Sequence, residues 1–108
     1  MSSEVLESDW KVYRKSLEGW RERYLAKQNE KLIKIVINTE HTPTEQFWNA
    51  KGFVDEQAKI LQDCLDHHSR SNMFMSLLLM LRYELINESD LNEFSEDLRS
   101  RLVQLINS

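Results

Sequence analysis

Residues 6–24 read Leu-Glu-Ser-Asp-Trp-Lys-Val-Tyr-Arg-Lys-Ser-Leu-Glu-Gly-Trp-Arg-Glu-Arg-Tyr, and their spacing decides the fold class. Leu6, Trp10, Tyr13, Leu17, Trp20 and Tyr24 recur at alternating intervals of four and three, the a/d seam of an amphipathic helix. Strict continuation falls on Lys27, Lys31 and Lys34, so this seam stops. A second stripe of Leu25, Gln28, Leu32, Ile35 and Val36 takes over, and the apolar face turns around the helix near Tyr24 and Leu25. The pattern predicts one helix from about Ser3 to Asn38. A helix of about 35 residues rising 1.5 Å each is roughly 50 Å long. A compact chain of this size is roughly 26–35 Å across. Such a helix either breaks or projects beyond the body.

The run Leu32-Ile33-Lys34-Ile35-Val36-Ile37 is rich in β-branched residues and has strand character. The chain offers no second strand to pair with it, and a lone strand leaves its backbone groups unsatisfied. The helix is therefore preferred.

Outward from this element, Thr42-Pro43-Thr44-Glu45 places Thr at the N-cap, Pro at the first helical position and Glu two residues further on. That is a capping box with the favoured first-turn proline. A second helix follows, with Phe47, Ala50, Val54, Ala58, Leu61 and Leu65 on one face and Phe53, Ile60 and Cys64 widening it. It ends near His67-His68 or passes through them, because no Gly or Pro enforces a break. Ser69, Ser71 and Asn72 offer caps for a third helix over Met73–Ile86. That helix carries Phe74, Leu77, Leu78, Leu81 and Leu85 on one face and Met80, Tyr83 and Ile86 on the other. A helix apolar nearly all round is buried nearly all round. Asn87-Glu88-Ser89-Asp90 reads as a polar turn, and Leu91, Phe94, Leu98, Leu102 and Leu105 or Ile106 give a fourth helix its apolar face.

Composition agrees with this reading. The 108 residues include only 2 Gly and 1 Pro, with 41% hydrophobic and 30% charged side chains. Gly-rich phosphate loops are excluded, and hairpin-rich β folds lack their turn residues. One cysteine rules out an intramolecular disulfide. Neither a signal peptide nor a membrane span is expected, since the longest apolar run, Met73–Leu81, is too short to cross a bilayer. The expected class is all-α: a single domain over 1–108, an antiparallel bundle of three to four helices with a long N-terminal helix, cytoplasmic.

Candidate chemistry is sparse. Asp63, Cys64, His67 and His68 are the densest group of metal-ligand types. A structural site needs four ligands, and the only other histidine is His41. Cys64 beside Leu61 and Leu65 reads as a core thiol, and the histidines as a favourable charge at a helix C-terminus. No metal, no cofactor and no enzymatic activity are expected.

Charge is unevenly placed. Eight basic and six acidic residues fall in 1–38, six and twelve in 39–108, for a net charge of −4. Arg23, Lys27, Lys31 and Lys34 line one side of the first helix and give a possible anion-binding ridge, although a solvated helix back is the commoner outcome of such a pattern. Trp10, Tyr13, Leu17, Trp20 and Tyr24 share the first seam, and such aromatics serve either a core or a protein–protein hot spot. With Met80 and Tyr83 they form the expected partner interface, on the argument that a single copy leaves one of these surfaces wet. Trp48, on the flank of the second helix, is a secondary candidate.

The expected function is a small non-catalytic interaction module, such as an adapter, inhibitor or accessory subunit. It associates with itself as a homodimer or docks on another protein, with no membrane partner. The alternative is a nucleic-acid-associated helical subunit using the basic ridge. One expectation is purely local. Thr42→Ala lowers stability by about 1 kcal/mol through loss of an N-cap hydrogen bond, read as a lower denaturation midpoint.

Overall fold

The computed structural model describes residues 6–65 and 69–108. Four α-helices follow one another: α1 Glu7–Val36, α2 Pro43–Leu65, α3 Met73–Arg82 and α4 Glu96–Ile106, with a 3₁₀ turn at Glu88–Leu91 before the last. No strand occurs among the described residues, and Leu32–Val36 is the helical end of α1. Each helix packs on the next in chain order. The molecule measures 55 × 25 × 20 Å with a radius of gyration of 16.7 Å. A compact chain of this length has a radius nearer 13 Å. The long first helix does not break; it projects.

The proximal body is a bundle in which the first half of α1 shares one core with the end of α2, with α3, with the connection after it and with α4. Tyr13, Leu17, Trp20 and Tyr24 form the buried stripe of α1, continued by Gln28. The same core holds Cys64 and Leu65 of α2, Leu77, Leu78, Met80 and Leu81 of α3, Leu85, Ile86 and Leu91 of the connection, and Phe94, Leu98 and Leu102 at and along α4. The Trp20 and Phe94 rings stand 6.3 Å apart, tilted by 34°. Removing a large apolar side chain from water contributes roughly 1.5–3 kcal/mol, so this stripe supplies much of the drive to fold.

The partner-interface expectation is corrected here. Tyr13 and Met80 have no exposed surface, and Leu17, Trp20 and Tyr24 are buried too. All five belong to the core of the single chain. One neighbouring helix does not easily cover so large an aromatic seam; the rest of the chain, with α2, α3, the 3₁₀ turn and α4 in one core, does. Ile86, expected on a wet side of the third helix, is buried by the chain's turn after Arg82. Trp10 is half-buried, stacked on Tyr13 at 5.7 Å, with the Arg70 guanidinium 5.7 Å from its ring. Tyr83 stays 40% exposed.

Helix ends show how local chemistry sets the boundaries. The capping box at α2 forms as expected: Glu45 N–H donates to Thr42 Oγ1 at 3.2 Å, and Thr42 N–H donates to Glu45 Oε1 at 2.8 Å. The Gln46 side chain donates to the Asn38 carbonyl at 2.7 Å and ties the turn back to α1. Helices α2 and α3 are separate elements, Pro43–Leu65 and Met73–Arg82.

α3 ends at Arg82, four residues short of the expected Ile86. Leu85 N–H reaches the Met80 carbonyl at 2.8 Å and Glu84 N–H the Leu81 carbonyl at 3.1 Å. These are the two hydrogen bonds of a Schellman stop, whose turning residue is left-handed. Here it is Glu84, at φ 60°. The stop swings Leu85 and Ile86 back into the core. α4 also starts later than the expected Leu91. Asn87 and Asp90 make a reciprocal capping box around the 3₁₀ turn, and Ser95 is the N-cap of α4, accepting from Leu98 N–H at 3.3 Å.

A glutamate pays a steric cost at left-handed φ that glycine does not. Glu84→Gly raises stability by about 0.5–1 kcal/mol, measured as a higher urea midpoint with unchanged slope.

Candidate interaction surface

α1 has 30 residues and α2 has 23, whereas α3 has 10 and α4 has 11. The short pair therefore covers only part of the long pair. Buried positions on α1 end at Gln28, and on α2 they comprise Cys64 and Leu65 alone. Beyond these points the described residues form a two-helix hairpin with no third layer. Tyr24 and Gln57 mark the change, with the Tyr24 hydroxyl donating to Gln57 Oε1.

Two helices give one shared contact line, which is too little to cover the apolar residues this segment carries. Leu25, Leu32, Ile35, Ala50, Phe53 and Leu61 are half-buried. Ile33, Val36, Ile37, Phe47, Trp48 and Val54 are exposed. Ile37 and Phe47 reach 63% exposure and Ile33 and Trp48 58%. Phe47 and Trp48 make an edge-to-face pair with centroids 5.1 Å apart. Between the two helices lies a groove of about 140 Å³ lined by Leu25, Leu32, Phe53, Val54, Ala58 and Leu61, with Gln28, Asn29 and Gln57 as its polar members. Sequence reasoning placed Phe47 and Val54 on a core-facing stripe. The signal that would have placed them otherwise is the change of stripe after Tyr24, which turns the apolar face of α1 away from the proximal body.

The basic ridge is only partly free. Arg23 grips Asp90 with two hydrogen bonds, at 2.9 and 2.7 Å. Lys27, Lys31 and Lys34 remain exposed along α1. Burial alone would raise the Asp90 carboxyl, but the Arg23 guanidinium and the Asn87 backbone N–H outweigh it and hold the group below the usual carboxylate range.

A contact the sequence reading missed lies at the opposite end. Asp9 is buried, and both its oxygens accept at 2.7 Å, Oδ1 from Ser95 N–H and Oδ2 from Ser95 Oγ–H. Asp9 thus joins the first turn of α1 to the first turn of α4. Both helix N-termini favour a negative charge there. Acidic residues after Ser95, Glu96 and Asp97, were the available sign of a helix start. Nothing in the sequence ties Ser95 to Asp9, 86 residues earlier.

Of the metal-ligand types, Cys64 is buried and its thiol is pushed up to about 11 by burial and by Asp63. A thiol so raised is a poor nucleophile at neutral pH. His67 and His68 lie outside the described residues. No group of three or more His, Cys, Asp or Glu suited to a metal occurs among the described residues. No helix among them is long and apolar enough to cross a membrane. An open cavity of about 590 Å³ beside α4 sets Arg99 among Glu88 and Glu96 and carries no distinct chemistry.

Comparison with protein-family models, curated proteins and solved structures finds no match for the chain.

The lowered Asp90 group sets a pH dependence. Its folded value lies below its unfolded one, so its stabilisation is complete above the unfolded value near 4 and is lost as pH falls through the folded value. Asp90→Asn lowers stability by about 1–2 kcal/mol at pH 7, and the gap to the unaltered protein narrows below about pH 4. Urea midpoints across that range check it.

Proposed function

We propose that this chain is a non-catalytic protein–protein interaction module that docks through the distal half of the α1–α2 hairpin. The observation that carries the reading is the set Ile33, Val36, Ile37, Phe47, Trp48 and Val54, all exposed on the segment that no third helix among the described residues covers. Large apolar residues gathered in one exposed region, Trp among them, are what a partner covers. The two-part build supports the reading as well: a packed body holds a 55 Å-long molecule together while its far end presents apolar surface to another protein.

A second reading, a nucleic-acid-associated subunit, draws on the exposure of Lys27, Lys31 and Lys34. The bidentate pairing of Arg23 with Asp90 weakens it, since that guanidinium is the ridge's strongest phosphate ligand and is already occupied.

The double variant Phe47→Asp, Trp48→Asp tests the docking reading. Both side chains are mostly solvated in the single chain, so its thermal midpoint stays within about 2 °C of the original. Quantitative affinity capture from the native cell, with a differently tagged copy of the chain present, then loses at least one protein that the unaltered chain retains. An identical set of captured proteins overturns the reading.

A further inference from the structure

The hairpin surface has a particular shape, and the shape selects an occupant. The groove side chains come from both helices, Leu25 and Leu32 from α1 and Val54, Ala58 and Leu61 from α2, so the apolar face is two helices wide. Along α2, Phe47, Ala50, Val54, Gln57, Leu61 and Cys64 recur at alternating intervals of three and four. On α1, Leu25, Gln28, Leu32 and Ile35 do the same. Both patterns are those of helices in a bundle, where each helix meets two neighbours. In the single chain each has one neighbour at this end.

We infer that a second copy of this chain covers the groove, the two hairpins packing face to face about a two-fold axis to complete an antiparallel four-helix bundle. The inference rests on the reading of the hairpin as a docking surface and names the occupant. Three observations select a second copy over a different protein. Among the described residues no charged side chain lines the groove, so it offers no complementary charge by which a foreign partner is chosen. The layer it lacks is an apolar-faced pair of antiparallel helices of this same length, and a second copy presents one; isologous pairing of a patch with itself is the commonest way chains associate. The area also suffices. The stretch of α2 from Pro43 to Leu61 is roughly 28 Å long and two packed helices are about 20 Å wide. Two such faces bury roughly 1,100 Å² together, at the lower bound for a specific interface. Ala58 at the groove brings no bulk that would hold the layers apart.

This arrangement differs from a dimer through the aromatic seam of α1. Tyr13, Leu17, Trp20 and Tyr24 stay in the core of each copy, and the shared core is built from the second stripe, Leu25 and Leu32, with its counterparts on α2.

Sedimentation equilibrium of the full chain tests the pairing. A reversible monomer–dimer equilibrium is expected, with the dimer dominant at about 100 μM. Val54→Glu and, separately, Ala58→Glu raise the dissociation constant at least about 100-fold, because each dimer buries two unpaired carboxylates. Both positions are exposed in the single chain, so helical content by circular dichroism is unchanged in the variants. A mass of one chain persisting to about 200 μM overturns the inference, as does a dimer that neither substitution weakens. If the chain is monomeric while the Phe47→Asp, Trp48→Asp variant still loses a captured protein, self-pairing falls and the docking reading stands.

Discussion

The structure depends on a mismatch of length. A 30-residue helix extends about 45 Å and a 10-residue helix about 15 Å, so α3 and α4 cannot face all of α1. The chain therefore divides into a three-layered body and a two-layered arm. Every other feature follows from where that division falls. Up to Gln28, the stripe of α1 from Tyr13 through Tyr24 lies in the shared core and is buried. After it, among the described residues, the apolar side chains of α1 face α2 alone and are half-buried or exposed.

The body is held in register by polar contacts at its rim as much as by its core. Hydrophobic packing is non-directional and would tolerate a slide of α4 along α1. Asp9 on Ser95 and Arg23 on Asp90 do not, because each requires atoms within about 3 Å of one another at fixed positions. The two ties lie 14 positions apart on α1, on either side of Tyr13, Leu17 and Trp20, one at the start of α4 and one in the 3₁₀ turn before it. Between them Phe94 is set against Trp20. The Schellman stop at Glu84 belongs to the same arrangement: without the reversal it makes, Leu85 and Ile86 would continue outward along α3 instead of folding back into the core.

The arm carries the functional interest because it inverts the usual relation of helix to core. Its Thr42 box and Gln46-to-Asn38 bond make a well-satisfied turn, so the exposed residues are presented on ordered helices. Ordered apolar surface loses little conformational freedom on association, which favours binding. The Cys64 thiol and Tyr13, Leu17, Trp20 and Tyr24 of the body, by contrast, are enclosed within the single chain.

The sequence by itself determined the all-α class, the long first helix, the Thr42 capping box and the burial of most of α3, though Met75 stays exposed. Each rests on interactions within a few residues or on a periodicity carried by one element. It also showed that the apolar face of α1 turns near Tyr24, though not which of the two stripes would find cover inside the chain. Only the tertiary structure decided that. Whether Tyr13, Trp20 and Tyr24 become core or surface depends on how far α3 and α4 reach, which Glu84 and Ser95 set by ending one helix early and starting the next late. Asp9 was one acidic first-turn residue among several until Ser95 met it. Burial is a property of the assembled layers, so a stripe's spacing gives the face of its helix, and the lengths of the neighbouring helices give what covers it.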